Sequence, residues 1–440
     1  MTMDQTTKRK LMRFGFYAGV LITLAVIMIG WWSMNGGNLN TYGDRLIAIG
    51  RLFGLLAAWS VIIQIILMSR VPFIERSFDL QDNIQLHKYN GYALLATISG
   101  HVIFLVLGYA LPTNTGLFDQ FILFNTQYED VLLASLGTVI FFVASFLSIN
   151  ALRKKMRYEI WYLIHITVYA GILMTFLHQI NTGGDFIHNF WFTAFWYGLY
   201  ILAFVVWLRY RMANPLWLAY KHRFQVQSIV QTALNTYSVT LTGYNVRDFD
   251  FEPGQYATWR FLSSGLWYEA HPFSISSERG ADYLQFTVKA SPSLTAKIAN
   301  VKPGTSVLVD GPRGSFTAER AEHTQKVVLI AGGIGVAPYL STISALLEKG
   351  KDVSLLYSAK ANADVAFRTQ LVQLQARGLK ISLYLNEMNQ QITPEVLQSV
   401  AQDDTTIYIC GPDGMSRAFV STLRNLGFSQ KNIITERFAF

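Results

Sequence analysis

The stretch HKYNGYALLATISGH (His87–His101) and its counterpart HITVYAGILMTFLH (His165–His178) decide how the first half of this chain is read. Each begins and ends on a histidine, and most of what lies between is apolar. The two stretches hold four of the chain's 8 histidines, spaced fourteen and thirteen residues apart. At ~1.5 Å rise per helical residue, such a pair lies roughly 20 Å apart along one helix. Two helices side by side then carry two levels of facing imidazoles. Ionisable residues inside long apolar segments are costly and functional by default.

Outward from these stretches, Leu11 to about Leu208 is a series of six apolar runs, approximately 13–32, 46–68, 88–111, 131–151, 161–180 and 190–208. Each reaches the ~20 residues that cross a hydrocarbon core. The first is too long for a signal peptide and lacks a small-residue cleavage site, so removal of a leader is not expected. After Arg223 the composition turns to that of ordinary soluble protein. A chain of 440 residues has room for about two to four domains. The expected divisions are 1–222, a six-helix transmembrane domain; 223–320, an antiparallel β-barrel; and 321–440, an α/β domain with a parallel sheet.

Charge in the connections sets the expected orientation. Lys8, Arg9, Lys10 and Arg13 precede the first run, and Arg70, Arg76 and Lys88 follow the second. Arg153, Lys154, Lys155 and Arg157 separate the fourth from the fifth, and Arg209, Arg211, Lys221 and Arg223 follow the sixth. The opposite connections carry Asp44, Asp119, Glu129, Asp130 and Asp185, with Arg45 as their only cation. The positive-inside rule then places both termini in the cytoplasm. The net charge of +8 comes mostly from this asymmetry, so it does not point to nucleic acid. A single cysteine, Cys410, excludes an internal disulfide.

With the third and fifth runs both directed outward, His87 and His165 share the cytoplasmic level, while His101 and His178 share the outer level. One imidazole from each helix at each level suits bis-histidine ligation of haem iron, giving two b-type haems. Zinc suits it poorly, because further Cys, His or carboxylate ligands are missing at each level. Hydrogen-bonded core histidines or a proton relay are the alternatives. Fourteen residues is close to four helical turns, but thirteen misfaces His165 and His178 by roughly 140° on an ideal helix. A distortion between them is expected, with Gly171 as its site. Arg51, just inside the second run, either snorkels to the interface or faces the bundle to meet a haem propionate or substrate.

In the second half, FQVQSIV, TYSVTLTGYNV, YATWRF, YLQFTVKA and SVLVDGP read as short strands of an antiparallel barrel. From Lys326 onward, strands alternate with helical stretches, which implies a parallel sheet. VVLIA runs into GGIGVAP, where Gly332, Gly333 and Gly335 allow a phosphate close to backbone N–H groups at a helix start. SLLYSAK and TIYICGPDGM end in loops that would border the same crevice. Lys360 either pairs with a ribose 2′-phosphate, favouring NADPH over NADH, or is simply a solvated cation.

HPFSISS (His271–Ser277), TVK (Thr287–Lys289), GGIGVAP (Gly332–Pro338), CGP (Cys410–Pro412) and the terminal ERFAF resemble the ferredoxin–NADP reductase-like dehydrogenase module. Joined to six apolar runs with four histidines, they resemble the NADPH oxidase and ferric reductase superfamily, within it the compact prokaryotic NADPH oxidases. The resemblance covers roughly residues 10–440. It implies that His271, Pro272, Phe273 and Ser274 line FAD, and that Lys289 and Thr295 sit at its pyrophosphate. Pro292 departs from the family here, standing where the GxxT turn has glycine. It further implies that Gly332, Gly333, Gly335 and Pro338 hold the nicotinamide nucleotide, bordered by Gly411 and Pro412 with Cys410 beside the nicotinamide. Phe440 would stack on the flavin and move to admit nicotinamide, and Arg51 would lie beside the outer haem.

The function expected is a transmembrane NADPH oxidase in a bacterial inner membrane, surrounded by lipid and needing no obligatory protein partner. Electrons would pass from NADPH through FAD and two haems to oxygen outside, giving superoxide. A ferric reductase acting on ferric complexes is the alternative, and a haem-binding electron-transfer or sensor subunit without turnover is an alternative of another class.

Overall fold

The computed structural model describes residues 5–37, 39–78, 80–153, 155–156, 158–182, 189–289, 297–401 and 404–437. The chain forms two compact units. One comprises residues 11–74 and 82–211, and the other comprises 212–440 with 1–10 and 75–81.

The chain up to residue 207 is all helix, mostly within the first unit: α1 (Gln5–Asn35), α2 (Tyr42–Met68), α3 (Pro72–Ser77), α4 (Leu80–Thr113), α5 (Leu117–Gln127), α6 (Val131–Leu147), α7 (Asn150–Arg153), α8 (Tyr158–Ile166), α9 (Val168–Asn181) and α10 (Phe190–Trp207). A capping box starts α2: the Thr41 hydroxyl accepts from the Asp44 N–H at 3.1 Å, and the Asp44 carboxylate accepts from the Thr41 N–H at 3.0 Å. Among the described residues, five helices are long and apolar enough to cross a membrane, and α5 with α6 make a sixth candidate bent by 114°. Leu21, Ile22, Ile29, Leu136, Phe146, Ile201 and Phe204 are exposed. So large an apolar surface needs lipid rather than water around it.

Close helix packing rests on small residues. A Cβ on Gly54 of α2 would lie 2.6 Å from Nδ1 of His101 on α4, and one on Gly137 of α6 would lie 2.8 Å from the Gly171 carbonyl of α9. Glycine at these places lets backbones meet, as small residues do between membrane helices.

Two expectations change. The fourth run was expected over 131–151, but α6 ends at Leu147, and α5 occupies what reads as a connection. The distortion between His165 and His178 lies at Thr167, not at Gly171. There the Thr167 N–H bonds the Ile164 carbonyl at 3.1 Å, a tightened i→i−3 turn between α8 and α9. The Thr167 hydroxyl also donates to that carbonyl, at 2.7 Å. Gly171 sits inside α9 as the contact with Gly137.

The second unit begins with α11 (Asn214–His222) and six strands: β1 (Gln225–Ala233), β2 (Thr236–Thr242), β3 (Tyr256–Phe261), β4 (His271–Ser274), β5 (Leu284–Lys289) and β6 (Val307–Arg313). They form two antiparallel sheets, β1-β2-β5 and β4-β3-β6, linked by bridges Gln225↔Ser306 and Ile275↔Phe286. A five-stranded parallel sheet follows, built from β7 (Lys326–Gly332), β8 (Asp352–Ala359), β9 (Lys380–Leu385), β10 (Thr405–Gly411) and β11 (Ile433–Arg437) in the order β11-β10-β7-β8-β9. Its helices are α12 (Ala337–Glu348), α13 (Arg368–Ala376), α14 (Pro394–Val400) and α15 (Asp413–Asn425). Strand order reverses between β7 and β10, so the ligand crevice of an open α/β sheet falls at their carboxyl ends.

Helix α12 fastens the two β domains together. The Ser341 hydroxyl accepts from the Gly254 N–H at 3.1 Å and donates to the Ile275 carbonyl at 3.2 Å. Gly254 has φ +99°, and a Cβ there would stand 2.1 Å from the Phe316 carbonyl. Nearby, Glu278 accepts from the Ser344 hydroxyl at 2.6 Å and from Arg377 at 2.9 Å. The Ser344 hydrogen bond, with the Arg377 charge, holds the Glu278 carboxyl below its ordinary 4.5 despite partial burial. A depressed folded pKa adds stability above the unfolded value and loses it as pH falls through the folded one. The thermal midpoint of Glu278→Gln should therefore lie below wild type at neutral pH. The gap should close as pH is lowered below 4.5. Midpoints that stay parallel across that window would remove Glu278 as a titrating tie.

Candidate functional site

Helix α4 carries His87 and His101, α8 carries His165 and α9 carries His178. The structure brings them together in the expected pairs: His87 and His165 have ring centres 6.1 Å apart, and His101 and His178 have theirs 6.3 Å apart. Two imidazoles on opposite sides of one metal, at ~2.0 Å per metal–nitrogen bond, have ring centres roughly 6 Å apart. Among the described residues, no group of three or more His, Cys, Asp or Glu could hold a metal. A tetrahedral zinc site asks for four such ligands, while two axial nitrogens are what a haem asks of a protein.

Each level holds one anchored ring. Nδ1 of His101 donates to the Gly50 carbonyl at 2.8 Å, which leaves Nε2 as the lone-pair nitrogen. Nδ1 of His165 stands 3.3 Å from the Ser148 hydroxyl. Nδ1 of His87 is buried with no hydrogen-bond partner among the described residues, a polar atom that a bound group could satisfy.

A cavity of about 620 Å³ opens beside the outer pair, its walls including Arg51, His101, Asn125, His178, Gln179 and Tyr200. Its size is in the range of ligand pockets, ~300–1,000 Å³. Arg51 faces this cavity and places Nη1 3.5 Å from the Asn35 side-chain oxygen. The inner histidines do not line it.

In the second unit, the HPFS strand is held from beneath by an aromatic stack. Trp259 stacks on Phe286 at 4.3 Å, Phe286 lies parallel to Phe273 at 5.6 Å, and Trp259 Nε1 donates to the Phe273 carbonyl at 3.0 Å. Pro272, Phe273, Ser274 and Lys289 meet Ile334 and Ala337 of the glycine turn around a narrow cleft of about 20 Å³. The Ser274 hydroxyl is buried without a hydrogen-bond partner among the described residues, which fits a cofactor atom as its mate. His271 lies outside the cleft lining and contacts Glu269 at 3.0 Å. Lys289 is paired with Asp364 at 2.9 Å, a contact the sequence reading missed. Thr295, Pro292 and Phe440 lie outside the described residues.

Gly332, at the end of β7, and Gly411, at the end of β10, meet at the reversal of strand order: a Cβ on Gly411 would lie 3.1 Å from the Gly332 Cα. Gly333 has φ +56°, and a Cβ on Gly335 would lie 2.2 Å from the Cys410 carbonyl. These constraints shape the turn before α12, where Pro338 occupies the first turn. Cys410 is fully buried on β10, and burial, with Glu436 nearby, pushes its thiol well up. Lys360 is exposed just after β8, and its carbonyl accepts from Glu387 at 3.0 Å.

Three family models match in chain order: ferric reductase like transmembrane component over residues 53–176, FAD-binding domain over 222–318, and oxidoreductase NAD-binding domain over 329–421. The class these define is an NAD(P)H-dependent flavin oxidoreductase with a transmembrane helical half. Their succession is the architecture of the NADPH oxidase and ferric reductase superfamily.

Flavohemoprotein A of Dictyostelium discoideum is 29% identical over 183 residues, covering 38% of this chain and 46% of that protein. An NADPH oxidoreductase of Mycobacterium tuberculosis is 28% identical over 241 residues, covering 52% and 63%. The chain thus spans less than two thirds of the length of these curated relatives. Among solved structures, the flavohem-like FAD/NAD binding domain of nitric oxide dioxygenase from Vibrio cholerae is similar at 24% identity and TM-score 0.44, over 50% of this chain and 99% of that one.

Replacing Gly335 by Ala should drive the turn away from Cys410. Overpacking of ~1–3 kcal/mol predicts a rise of about fivefold or more in the KM for the nicotinamide nucleotide. FAD content should be unchanged. An unaltered KM would show that this turn does not touch the nucleotide.

Proposed function

We propose that the protein is a transmembrane NADPH oxidase that passes electrons from cytoplasmic NADPH through FAD and two b-type haems to oxygen on the outer side, releasing superoxide. The observation that supports it most is the pair of imidazole pairs, with ring centres 6.1 and 6.3 Å apart on helices apolar enough to cross a membrane. Bound FAD takes a hydride, and bound haem carries single electrons, so together they join a two-electron donor to a one-electron acceptor. In balance, one NADPH and two O₂ give NADP⁺, H⁺ and two superoxide ions.

The chain's own residues supply position and charge. His87 and His165 hold the inner haem, and His101 and His178 hold the outer one. The glycine turn at Gly332–Gly335 admits the dinucleotide at the sheet's reversal point, and Lys360 takes the 2′-phosphate. Arg51 supports oxygen as acceptor: it sits in the wall shared with His101 and His178, where a fixed cation stabilises the anion as it forms. Basic connections keep both termini in the cytoplasm.

Purified full-length protein should show two low-spin haems by absorption and should consume oxygen when given NADPH. Cytochrome c reduction by this mixture should be suppressed by superoxide dismutase. Arg51→Ala should lower superoxide output roughly tenfold or more with haem content unchanged. Reduction of a ferric chelate with no oxygen uptake would replace the oxidase reading with a ferric reductase. Haem without any turnover would point to an electron-transfer subunit.

A further inference from the structure

The inner pair has an anchor of a different kind from the outer pair. His101 is held by a backbone carbonyl, that of Gly50, whereas His165 is held by a side chain, Ser148 at the end of α6. The Ser148 hydroxyl has three neighbours: the Ala144 carbonyl at 2.6 Å, Nε1 of Trp161 at 3.0 Å and Nδ1 of His165 at 3.3 Å.

A serine hydroxyl has one proton and two lone pairs. A carbonyl can only accept, so the proton goes to Ala144. The indole N–H can only donate, so it fills one lone pair. What is left for His165 is acceptor capacity alone, and the contact is a hydrogen bond only if Nδ1 carries a proton. The tautomer is therefore set: Nδ1 protonated, Nε2 holding the lone pair. Trp161 also covers the His165 ring, with centres 5.1 Å apart and planes at 21°, and the Arg153 guanidinium lies 4.6 Å over the indole. Ring face and ring edge of His165 are thus both held from α7, α8 and the end of α6.

We propose that Ser148 is the positioning residue of the inner centre, fixing His165 in the Nδ1–H tautomer so that Nε2 is presented to the iron and tuning that iron through the hydrogen bond. This rests on the haem reading given under Proposed function. A partner that accepts from the ligand's distal N–H raises the basicity of the ligating nitrogen, and a more basic ligand favours ferric over ferrous iron. Loss of the hydroxyl should raise the midpoint potential of one haem and leave the other in place.

The test is redox potentiometry with electron paramagnetic resonance of the ferric state, on full-length haem-loaded wild type, Ser148→Ala, Ser148→Thr and Trp161→Phe. Ser148→Ala should shift one of two midpoints upward and alter one low-spin signal. Ser148→Thr, which keeps the hydroxyl, should restore both. Trp161→Phe keeps a stacked ring but frees a lone pair, and should shift the same haem by less. Loss of the inner haem alone in Ser148→Ala, reversed in Ser148→Thr, also supports the role, since partners of this kind change metal affinity by ~10–100-fold. Unchanged midpoints with both haems bound overturn the proposal, as does haem loss that Ser148→Thr does not reverse. Wild type that binds no haem overturns this proposal and the haem reading together; wild type with two haems and an indifferent Ser148→Ala overturns this one alone.

Discussion

The close approach of α2 to α4 is the constraint on which the helical unit depends. An imidazole inside an apolar bundle must give its N–H to something, because an unpaired polar group there is expensive. The device is to bare a stretch of helix backbone. Without a side chain on Gly54 there is room for the His101 ring, and the Gly50 carbonyl one turn away accepts a hydrogen bond from its Nδ1–H at 2.8 Å. Arg51 is the next residue, so the same turn that anchors a ring brings a cation to the cavity wall. Gly137 and Gly171 also bare backbone, between α6 and α9, but there it lets the two helices pack against each other without anchoring a ring.

The second unit solves a different problem, holding a mobile-chemistry site on two domains that must keep one orientation. Its answer is polar where the first unit's is apolar. Ser341 bonds both the Gly254 N–H and the Ile275 carbonyl, so the helix that begins at the glycine turn is keyed to the sheet edge beyond HPFS. The aromatic stack of Trp259, Phe286 and Phe273 stiffens the other wall. The cleft between the walls is thereby defined by packing on one side and hydrogen bonds on the other.

Much of this was legible in the sequence because it follows from period and composition. The apolar runs, the strand patterns, the glycine turn after VVLIA and the histidine pairs are all local signals, and each lies where the fold places it. Features that depend on which helix lies beside which were not. Thr167 breaks the ladder through its own hydroxyl and an i→i−3 bond, a local competition that any threonine could offer and few win. Gly171 looks like a hinge in sequence, yet it serves as a packing surface for Gly137. Helix α5, at 11 residues, is too short to stand out as a membrane-length apolar run. Ser148 and Asp364 carry no motif at all; only the fold shows that one meets His165 and the other Lys289.

The anchoring of one ring per level has a further consequence. The clamped rings, His101 and His165, come from different helices, and across from His165 the Nδ1 of His87 is buried without a partner among the described residues. The planes cross at 67° in the inner pair and 47° in the outer. The two levels therefore carry the same pair of side chains but are not copies of one another. Their difference lies in the hydrogen bonds behind the rings and in the angle between ring planes, so identical side chains stand in unlike surroundings.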